Sequence, residues 1–312
     1  MQTNSDSKKS FPSVWIIVIN WNRWPETEAC LESLGKLTYP HYSVLAVDNG
    51  STDGSVERLQ SISWIHTILL KTNEGFVGGN NIGIEYALQH HPDYLLLLNN
   101  DTLVESNFLS RLVTAMESTP DNGIAGPLIC YAGLPDTIWS AGGVIDAHRG
   151  ETSMIGIGQK RQVLEGRSPY GVDFVTGCAL LIKRRVIDEI GLLDDRFFAY
   201  YEETEFCVRA RKKGWGCMVV PQALIWHKIT PEARASSENV HYYMTRNRLL
   251  FIRLAKLGCV VYLRALAEDA RTLISWSIRS KWKNQRGLRK AHIQAVMDNF
   301  KNRWGKRIVQ AP

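Results

Sequence analysis

The amino-acid sequence predicts an α/β protein in which a mostly parallel sheet is flanked by helices. Short apolar runs rich in β-branched residues alternate with segments of helical pattern, and a polar cluster follows most of these runs. Such alternation is typical of parallel sheets, because a helix usually makes the crossover between parallel strands. The chain has 312 residues, of which 45% are hydrophobic and 22% charged, so it can bury a sizeable core.

The elements of the first half are defined by apolar runs and by the residues that end them. The first run is dense in β-branched residues and stops at Asn20, as a buried strand does when it enters a polar loop. Pro25 follows, and proline is favoured in the first turn of a helix. The predicted elements are strands over 14–19, 43–47, 67–70 and 94–98 and helices over 25–34, 80–89 and 106–117.

The second half begins with a more irregular, glycine-containing stretch and then returns to regular patterns. Gly214 is placed to close a helix over 202–213, since a left-handed glycine commonly ends helices. The other predicted elements are a strand over 174–182, a helix over 184–190 and a strand over 218–220 that leads to Trp226 and His227.

Asp48 opens the segment DNGSTDGS at the end of the second predicted strand. In open α/β sheets ligands bind outside the carboxyl ends of the strands, so Asn20, Asp48 and Asp101 are expected along one rim. A carboxylate at Asp48 can accept hydrogen bonds from a base or a ribose. The alternative is a turn with a helix N-cap, because Ser51 and Asp53 are good capping residues.

Residues 73–83 form a segment rich in Gly and Asn before the helix predicted at residue 80. A loop of this composition lets backbone amides approach an anion, and the following helix adds its positive end. The segment is neither a Walker loop nor a GxGxxG fingerprint. A plain surface loop is the alternative interpretation.

Asn99, Asn100 and Asp101 follow the fourth predicted strand and offer oxygen ligands at its end. Such ligands suit a hard divalent cation that bridges a diphosphate. A second ligand is wanted, and His227 provides one if the sheet brings it to the same rim. The alternative is a histidine that binds no metal.

Glu202, Glu203 and Glu205 follow the aromatic-rich residues 197–201 at the start of a predicted helix. Aromatic neighbours can shield a carboxylate and raise its proton affinity, as a general base requires. The alternative is helix capping, because the helix dipole favours carboxylates in the first turn.

Taken in order, these segments resemble the family 2 glycosyltransferases, in particular the rhamnosyltransferase-like branch that builds bacterial surface polysaccharides. The resemblance implies a Rossmann-like GT-A fold with a mixed, mostly parallel sheet. It also implies inverting, metal-dependent transfer of a sugar from a nucleotide diphosphate to a hydroxyl of a glycan or lipid-linked acceptor. Rhamnose from dTDP-rhamnose is the first expectation, and a hexose from a UDP-sugar is the second. The segments that carry the resemblance are IIVINWN, VDNGSTDGS, NEGFVGGNNIG, LLLNND, TGCALLIKR, FFAYYEETEFCVRARKKGW, the histidine after the next strand, and YYMTRNRL.

The resemblance implies roles for individual residues. Glu203 matches the catalytic base, and Asp101 with His227 matches a site for Mg²⁺ or Mn²⁺. Asn99 stands where the family's DxD metal motif has its first acid, and Glu203 stands where Asp is more usual. The residues expected on the acceptor side are Trp139, Glu202, Glu205 and Arg246. The residues expected to bind the nucleotide sugar are Asn20, Trp21, Asn22, Asp48, Asn49, Gly75, Gly79, Asn80, Asn99, Asn100 and Asp101.

The end of the chain is basic, with 16 Lys or Arg against three acids from residue 246 onward. A basic amphipathic helix on an anionic membrane surface is one interpretation, and a helical subdomain with a solvated basic face is the other. Nucleic acid is not expected, because no recognition motif accompanies the charge. The residues that suggest the helix are Leu263, Leu266, Ala270, Leu273 and Ile274, with Arg264, Arg271, Arg279, Lys281, Lys283, Trp276, Trp282 and Trp304.

The sequence divides into a polar, frayed start over 1–13, a GT-A domain over 14–248 and a basic helical extension over 249–312. The six cysteines are scattered singly and are expected to be free, buried thiols of a reducing compartment. No apolar run approaches the roughly 20 residues of a membrane-spanning helix. We therefore expect a cytoplasmic protein that contacts the inner face of the plasma membrane only peripherally, if its basic end binds lipid.

Two other classes of protein share this kind of sequence. A catalytically silent nucleotide-sugar or glycan-binding protein could have the same fold, but the joint presence of Asp48, Asp101, Glu203 and His227 argues against it. A nucleotide-dependent oxidoreductase is disfavoured because no GxGxxG follows the first predicted strand.

Overall fold

The computed structural model describes residues 11–230, 237–278 and 285–309. In these ranges a central sheet is covered by helices on both faces. The strands are β1 (Val14–Asn20), β2 (Tyr42–Asp48), β3 (His66–Leu69), β4 (Tyr94–Asn99), β5 (Thr102–Val104), β6 (Asn122–Tyr131), β7 (Leu134–Ser140), β8 (Gly143–Asp146), β9 (Glu151–Met154), β10 (Tyr170–Gly171), β11 (Ala179–Lys183) and β12 (Gly216–His227). The helices are α1 (Trp24–Leu34), α2 (Ser55–Gln60), α3 (Gly75–Leu88), α4 (Phe108–Ser118), α5 (Arg184–Ile190), α6 (Glu202–Lys212), α7 (Glu238–Ala255), α8 (Cys259–Ile278) and α9 (Arg286–Phe300), with a 3-10 turn at Arg161–Leu164.

The sheet is mixed and mostly parallel, as predicted. Its strands lie in the order β10-β12-β6-β11-β4-β1-β2-β3, with β5 beside β12 and β7 beside β6. The four strands β3, β2, β1 and β4 are parallel, and so are β6 and β12. Strand β11 separates the two blocks and runs antiparallel to both β4 and β6.

Strand β1 shows why its sequence is apolar throughout. Val14, Ile16 and Val18 belong to the core cluster on one face, which includes residues of α1 and α4. Trp15 and Ile17 belong to the cluster on the other face, which includes residues of α3, α5, α6 and α7. A strand buried on both faces has no solvated side and therefore no polar alternation.

Helix α3 begins at Gly75, so the prediction of a loop up to residue 80 is wrong. The glycines serve packing against the sheet: a methyl group on Gly83 would lie 2.6 Å from Cγ2 of Ile17, and one on Gly79 would lie 3.3 Å from Cδ1 of Ile19. Glycine disfavours helices by about 1 kcal/mol relative to alanine. The close approach of the helix to β1 offsets that preference.

The later strands also differ from the predictions. Strand β12 runs on to His227, because the register shift between Val220 and Leu224 carries the chain past Pro221 with pairing restored afterwards. The predicted strand over 174–182 starts only at Ala179. The stretch predicted as irregular contains β6, β7, β8 and β9. A sequence pattern for a strand is interrupted by a proline or a glycine. Strand pairing depends on residues far away in the chain, so a strand can continue past such a residue.

The ends of the chain pack more closely than their composition suggests. Ser13 hydrogen-bonds Asp93, and the Tyr39 hydroxyl donates to the carbonyl of Pro12 at 2.6 Å. Residues 1–10 of the predicted frayed start lie outside the described residues. The predicted domain boundary at residue 248 falls inside α7, whose Leu250 and Phe251 belong to the sheet core. The division into domains stays a prediction.

Trp276 and Trp304 pack against other side chains. Trp276 is buried with its ring 5.7 Å from that of His292, and the half-buried Trp304 lies under the guanidinium groups of Arg246 and Arg253. Trp276 therefore offers little surface to a membrane. None of the described helices is long and apolar enough to cross a bilayer. The expected residues Arg279, Lys281, Trp282 and Lys283 lie outside the described residues.

The cysteines are all free, as expected. One of them, Cys259 at the start of α8, is exposed, so the expectation of six buried thiols is wrong for this residue.

Candidate active site

The carboxyl ends of β1, β2 and β4 lie side by side, as the sequence predicts. In the parallel register Asn20 stands opposite Asp48, and Ile19 stands opposite Asn99. We call the residues at these three strand ends, 20–22, 48–51 and 99–101, the rim. The parallel pairing alone brings them together, because each strand ends at the same edge.

Asp48 and Asn20 are fully buried and bonded to each other. The amide nitrogen Nδ2 of Asn20 donates to Oδ2 of Asp48 at 2.8 Å, and the backbone amide of Ser51 donates to its Oδ1 at 2.8 Å. Neither side chain reaches the surface. The structure gives Asp48 the turn-forming role that the sequence left as the alternative, and its carboxylate has no access to a nucleobase in this arrangement.

Asn22 ties the loop after β1 to the loop after β2. Its backbone is left-handed, with φ of 52°, a conformation that asparagine tolerates better than most residues. Its Oδ1 accepts from the backbone amide of Thr52 at 2.7 Å, and its own amide donates to the Ser51 hydroxyl at 2.9 Å. The neighbouring Trp21 is 52% exposed, so the joined loops present an indole ring at the rim.

Asn49 joins the rim to the start of α3. Its Nδ2 donates to the carbonyl of Gly75 at 2.9 Å, and its Oδ1 accepts from the amide of Glu74 at 2.9 Å. The amide of Gly75 donates to Oδ1 of Asn73 at 2.8 Å. Protein acceptors therefore occupy the amides of Glu74 and Gly75, and binding of an anion by other amides of residues 73–83 stays a prediction.

Gly79 and Asn80 lie within α3, and their expected contact with the nucleotide stays a prediction. Asn80 is 1% exposed, and its Nδ2 donates to the carbonyl of Phe76 one turn earlier at 2.9 Å. The side-chain nitrogen Nδ2 of Asn100 also donates within the protein, to the Thr27 hydroxyl at 2.8 Å. These amides fix the walls of the rim.

His227 lies beside Asp101, where the sequence predicted a metal site. Strand β12 pairs with β5 so that His227 stands opposite Thr102, the residue after Asp101. Nε2 of His227 is 3.0 Å from Oδ1 of Asp101, and Arg23 Nη1 is 3.5 Å from Oδ2. Burial raises the pKa of Asp101, but the hydrogen bond and charge of His227 and the charge of Arg23 outweigh it, so the pKa lies below its ordinary value.

The surroundings of His227 fix its ring. The imidazole is 4% exposed, and the edge of Trp139 packs against it with ring centroids 4.6 Å apart. Trp139, expected on the acceptor side, therefore also supports the candidate metal ligand. Within the described ranges no group of three or more His, Cys, Asp or Glu forms a metal site. A cation would have to complete its shell with diphosphate oxygens and water.

Residues 197–206, which we call the acid segment, lead into α6 and bring Glu203 close to the rim. A methyl group on Gly177 would lie 3.7 Å from Cβ of Glu203. The next residue, Cys178, accepts the backbone amide of Asn99 at 2.9 Å. A short path of contacts therefore links Glu203 to the strand end that carries Asp101.

The three acids of α6 differ in their surroundings. Glu203 is half-buried, whereas Glu202 is buried. Burial, followed by the charge of Glu203, raises the pKa of Glu202 well above the ordinary value. The charge of Glu203 therefore opposes ionisation of its buried neighbour Glu202.

Glu205 is paired with Arg209 of the same helix, and its expected place on the acceptor side stays a prediction. Both of its carboxylate oxygens accept from Nε of Arg209, at 2.9 and 2.8 Å. Arg209 also donates to the carbonyls of Ile190 and Leu192. The pair joins α6 to the end of α5, and Glu205 is 5% exposed.

Two consecutive residues before α6 have left-handed backbones. Tyr200 has φ of 71° and Tyr201 has φ of 72°, which is strained for a bulky aromatic residue. The buried Asn247 of α7 holds this turn, because its Nδ2 donates to the carbonyls of Ala199 at 2.7 Å and Tyr200 at 2.8 Å. The orientation of the first turn of α6 thus depends on α7.

Arg246 is fully buried, and its expected place on the acceptor side stays a prediction. Its guanidinium donates to the carbonyls of Gly305 at 2.8 Å and Arg196 at 3.3 Å. It also reaches the hydroxyl of Tyr242. Arg246 therefore joins the residue before the acid segment to Gly305.

Sequence reasoning assigned no role to three residues of the site. Arg23 follows the NWN segment, Gly177 lies in TGCALLIKR, and Asn247 lies in YYMTRNRL. All three stand in or beside segments that the resemblance quoted. The signal for Asn247 was a polar residue between apolar helix positions, but its partners lie 47 and 48 residues away in the chain.

Comparison with known proteins agrees with this geometry. Residues 15–191 match the glycosyl transferase family 2. The chain is 23% identical over 304 residues to the dTDP-rhamnosyl transferase RfbF of Shigella flexneri, covering 93% of this chain and 96% of that protein. It is 26% identical over 248 residues to the N-acetylglucosaminyl-diphospho-decaprenol L-rhamnosyltransferase of Mycobacterium tuberculosis, covering 68% of this chain and 75% of that protein.

The fold agrees with a solved structure as well. The crystal structure of GalNAc-T7 with UDP, GalNAc and Mn²⁺ superposes with a TM-score of 0.62 at 16% identity, covering 92% of this chain and 55% of that one. This chain spans about half the length of that protein, and the similarity concerns the GT-A fold. The matched family, the relatives and the fold together identify the chain as a member of glycosyltransferase family 2, an inverting sugar transferase of the rhamnosyltransferase-like branch.

Proposed function

We propose that this enzyme transfers rhamnose from dTDP-rhamnose to a hydroxyl of a lipid-linked glycan during synthesis of a cell-surface polysaccharide. The named activities of the Shigella and Mycobacterium relatives support the sugar and the class of acceptor. A hexose from a UDP-sugar is the second choice of donor. The proposed place of action is the cytoplasmic face of the plasma membrane.

The rim is the proposed site of the nucleotide sugar. Trp21 offers an exposed ring on which a base can stack, while Asn20, Asn22, Asp48 and Asn49 shape the loops around it through their mutual hydrogen bonds. We assign the buried members to holding the pocket rather than to touching the donor. Asn99 has a half-buried side chain at the same edge and is the proposed direct contact beside Asp101.

Asp101 and His227 are the proposed ligands of a divalent cation, Mn²⁺ or Mg²⁺. A carboxylate oxygen and an imidazole nitrogen 3.0 Å apart fit neighbouring positions around an ion with bonds of about 2.1 Å. The solved neighbour with UDP and Mn²⁺ supports a metal in this fold. Bound there, the ion would neutralise charge on the leaving diphosphate. Arg23 lies on the other oxygen of Asp101 and adds positive charge at the same place.

Glu203 is the proposed catalytic base. The observation that carries this proposal is the contrast among the acids of α6: Glu202 is buried, Glu205 is buried and paired with Arg209, and Glu203 is half-buried and lies next to Gly177. Its carboxylate would take the proton of the acceptor hydroxyl as the oxygen attacks the anomeric carbon. Attack on the face opposite the diphosphate inverts the anomeric configuration.

The test is release of nucleoside diphosphate from a panel of dTDP-, UDP- and GDP-sugars with a lipid-linked acceptor, with Mn²⁺, Mg²⁺ or EDTA. We expect turnover with dTDP-rhamnose that EDTA abolishes. Glu203→Gln should lower kcat by about 10²- to 10⁴-fold, the usual contribution of a general base. Glu85→Gln, an exposed acid on α3, is the matched control and should behave as wild type.

The results separate the possible errors. Turnover with a UDP-sugar alone would replace the proposed donor and leave the base intact. Full activity of Glu203→Gln would remove Glu203 from the mechanism. Tight binding of the nucleotide sugar without turnover on any acceptor would point to a silent binding protein.

A further inference from the structure

We propose that the outward faces of α8 and α9 together form a docking surface for an anionic lipid bilayer. This inference deepens the proposed function, on which it rests, because it states where the enzyme meets the membrane that carries a lipid-linked acceptor. We call this surface the α8–α9 face, and it consists of the exposed residues named in the next paragraphs.

Helix α8 exposes a stripe of large apolar residues. Val260 is 75% exposed, Leu263 63%, Ile274 60% and Ile278 76%. Their spacing in the sequence places them on one side of the helix. The opposite side of α8, with Val261, is buried against α7. A helix that buries one apolar side and exposes a second one has a surface that water does not favour.

Helix α9 continues this stripe. Ile293 is 46% exposed, Met297 48% and Phe300 60%, again at helical spacing. Ala291 and Ala295, on the other side of the helix, are buried against the tyrosines of α7. Each of the two helices therefore has one side for α7 and another side with exposed apolar residues.

Both exposed sides are turned away from α7. The helices are antiparallel neighbours, and the residues packed on α7, which are Val261 and Ala265 in α8 and Ala291 and Ala295 in α9, lie on the side opposite the exposed apolar residues. The contacts between the helices are Tyr262 Oη to Asn299 Oδ1 at 2.6 Å, His292 Nε2 to Asp269 Oδ1 at 3.2 Å, and Arg289 Nη1 to the Trp276 carbonyl at 2.8 Å.

The charges around this stripe are positive. The acids of α8 and α9 are withdrawn from it: Asp269 and Asp298 are buried, and Glu268 accepts from Arg248 at 2.7 Å. Arg264 lies 3.6 Å from Glu268, so one of the basic residues is partly compensated. The nearest exposed acid that we find among the described residues is Glu238, whose carboxylate lies beside Gly287 on the α7 flank. The exposed basic residues of the α8–α9 face are Arg264, Arg271, Arg286, Lys290 and Lys301.

This combination favours a lipid surface over a protein partner. Apolar side chains at the level of the headgroups gain free energy by leaving water, and each basic residue near an anionic leaflet adds about 1 kcal/mol. A second copy of the chain would bring a like-charged face, and the face itself offers no acid to pair with the partner's basic residues. Charge complementarity therefore selects the anionic bilayer.

The test is co-sedimentation of the whole protein with phosphatidylcholine vesicles that contain or lack phosphatidylglycerol, without sugar donor or acceptor. We expect binding to the anionic vesicles that weakens as salt is added. The double variant Leu263→Glu/Ile274→Glu should lower the partition coefficient by at least about tenfold, because two apolar side chains and charge complementarity are lost. Arg271→Gln/Lys290→Gln should lower it by about tenfold on anionic vesicles only.

Val163→Glu is the matched control, because Val163 is 60% exposed but lies in the 3-10 turn, outside the α8–α9 face. It should bind vesicles as wild type does. All the substituted residues are exposed, and circular dichroism should show unchanged folding. Turnover with a water-soluble acceptor should also be unchanged, so a failure of vesicle binding is distinguishable from a failure of the proposed sugar transfer.

Three results would overturn the inference. The wild-type protein could fail to sediment with anionic vesicles, or the Leu263→Glu/Ile274→Glu variant could sediment as wild type does. In the third case, the Leu263→Glu/Ile274→Glu variant changes the oligomeric state in light scattering while its vesicle binding stays the same. That result would assign the face to contact between copies of the chain.

Discussion

The rim and the acid segment both hold polar side chains in place, but they do so with different contacts. At the rim, Asn20, Asn22, Asp48 and Ser51 bond to one another across adjacent parallel strands, and their loops close on themselves. The acid segment has two strained tyrosines and depends on Asn247 from another part of the chain. The rim, the proposed donor side, is therefore held by the sheet, whereas the turn before Glu203, the proposed base, is held by α7.

The largest effect should come from the rim, at the candidate metal site. Asp101→Asn keeps the shape of the side chain but removes its charge, so the concentration of Mn²⁺ needed for half-maximal activity should rise by about 10- to 100-fold. Activity measured over a titration of Mn²⁺ gives this shift. Asp136→Asn, an exposed aspartate outside the site, is the control. An unchanged requirement for Mn²⁺ would show that Asp101 does not hold the ion.

An intermediate effect should come from Asn247, which tests the dependence of the base on α7. Asn247→Ala leaves the carbonyls of Ala199 and Tyr200 without their donor and should lower the free energy of unfolding by about 1 to 3 kcal/mol. Because the turn before α6 loses its support, kcat should fall while KM for the sugar donor stays near wild type. Denaturant unfolding and steady-state kinetics measure the two effects.

Asn239→Ala, an exposed asparagine on the same helix, is the matched control for Asn247→Ala. It should leave both quantities close to wild type. If Asn247→Ala lowered stability but left kcat intact, the contrast between the two regions would be wrong, because the base would keep its place without α7.

The smallest effect concerns the pH dependence of stability. The folded protein holds a proton on Glu202 at pH values where the unfolded chain, with an ordinary pKa of 4.5, has lost it. The unfolded state therefore binds fewer protons, and stability falls as pH rises above 4.5 until the raised pKa is passed. Glu202→Gln mimics the neutral acid and should remove this decline, which for one group is at most about 1.4 kcal/mol per pH unit.

Thermal unfolding of wild type and Glu202→Gln over a range of pH measures this difference. Glu85→Gln, at an exposed position, should keep the wild-type decline. Parallel curves for wild type and Glu202→Gln would mean that Glu202 is charged in the folded state and that Glu203 does not carry the charge of the pair alone.

Much of the rim was predictable because it follows from local pattern. A run of β-branched residues that stops at a polar cluster predicts both a buried strand and the edge at which it ends, as for Asn20 and Asp48. The register of β1 with β2 then fixes which polar residues meet. The burial of Asp48 was not predictable in the same way, because it depends on neighbouring loops that the local pattern does not place.

The sequence predicts the role of a charged residue less well when its bonding partners lie far away in the chain. Arg246 carries a charge that suggested an acceptor site, but its guanidinium donates to the carbonyls of Arg196 and Gly305, which lie 50 and 59 residues away. A charged residue within a helix has the same local sequence signal whether it faces a ligand or a buried carbonyl. The sequence pattern indicated apolar helix positions at Leu263 and Ile274, which are exposed in α8. It did not indicate that Trp276 is buried.

By itself the sequence determined the α/β class, the parallel block of strands, the polar edge and the order of the motifs that identify the family. These properties follow from hydrophobic periodicity and turn chemistry, which act over a few residues. The tertiary structure decided that His227 meets Asp101, that Glu203 is less buried than Glu202 and Glu205, and that α8 and α9 each expose apolar side chains on the side turned away from α7. Those outcomes depend on pairing and packing between segments far apart in the chain, which decide how deeply each polar group is buried.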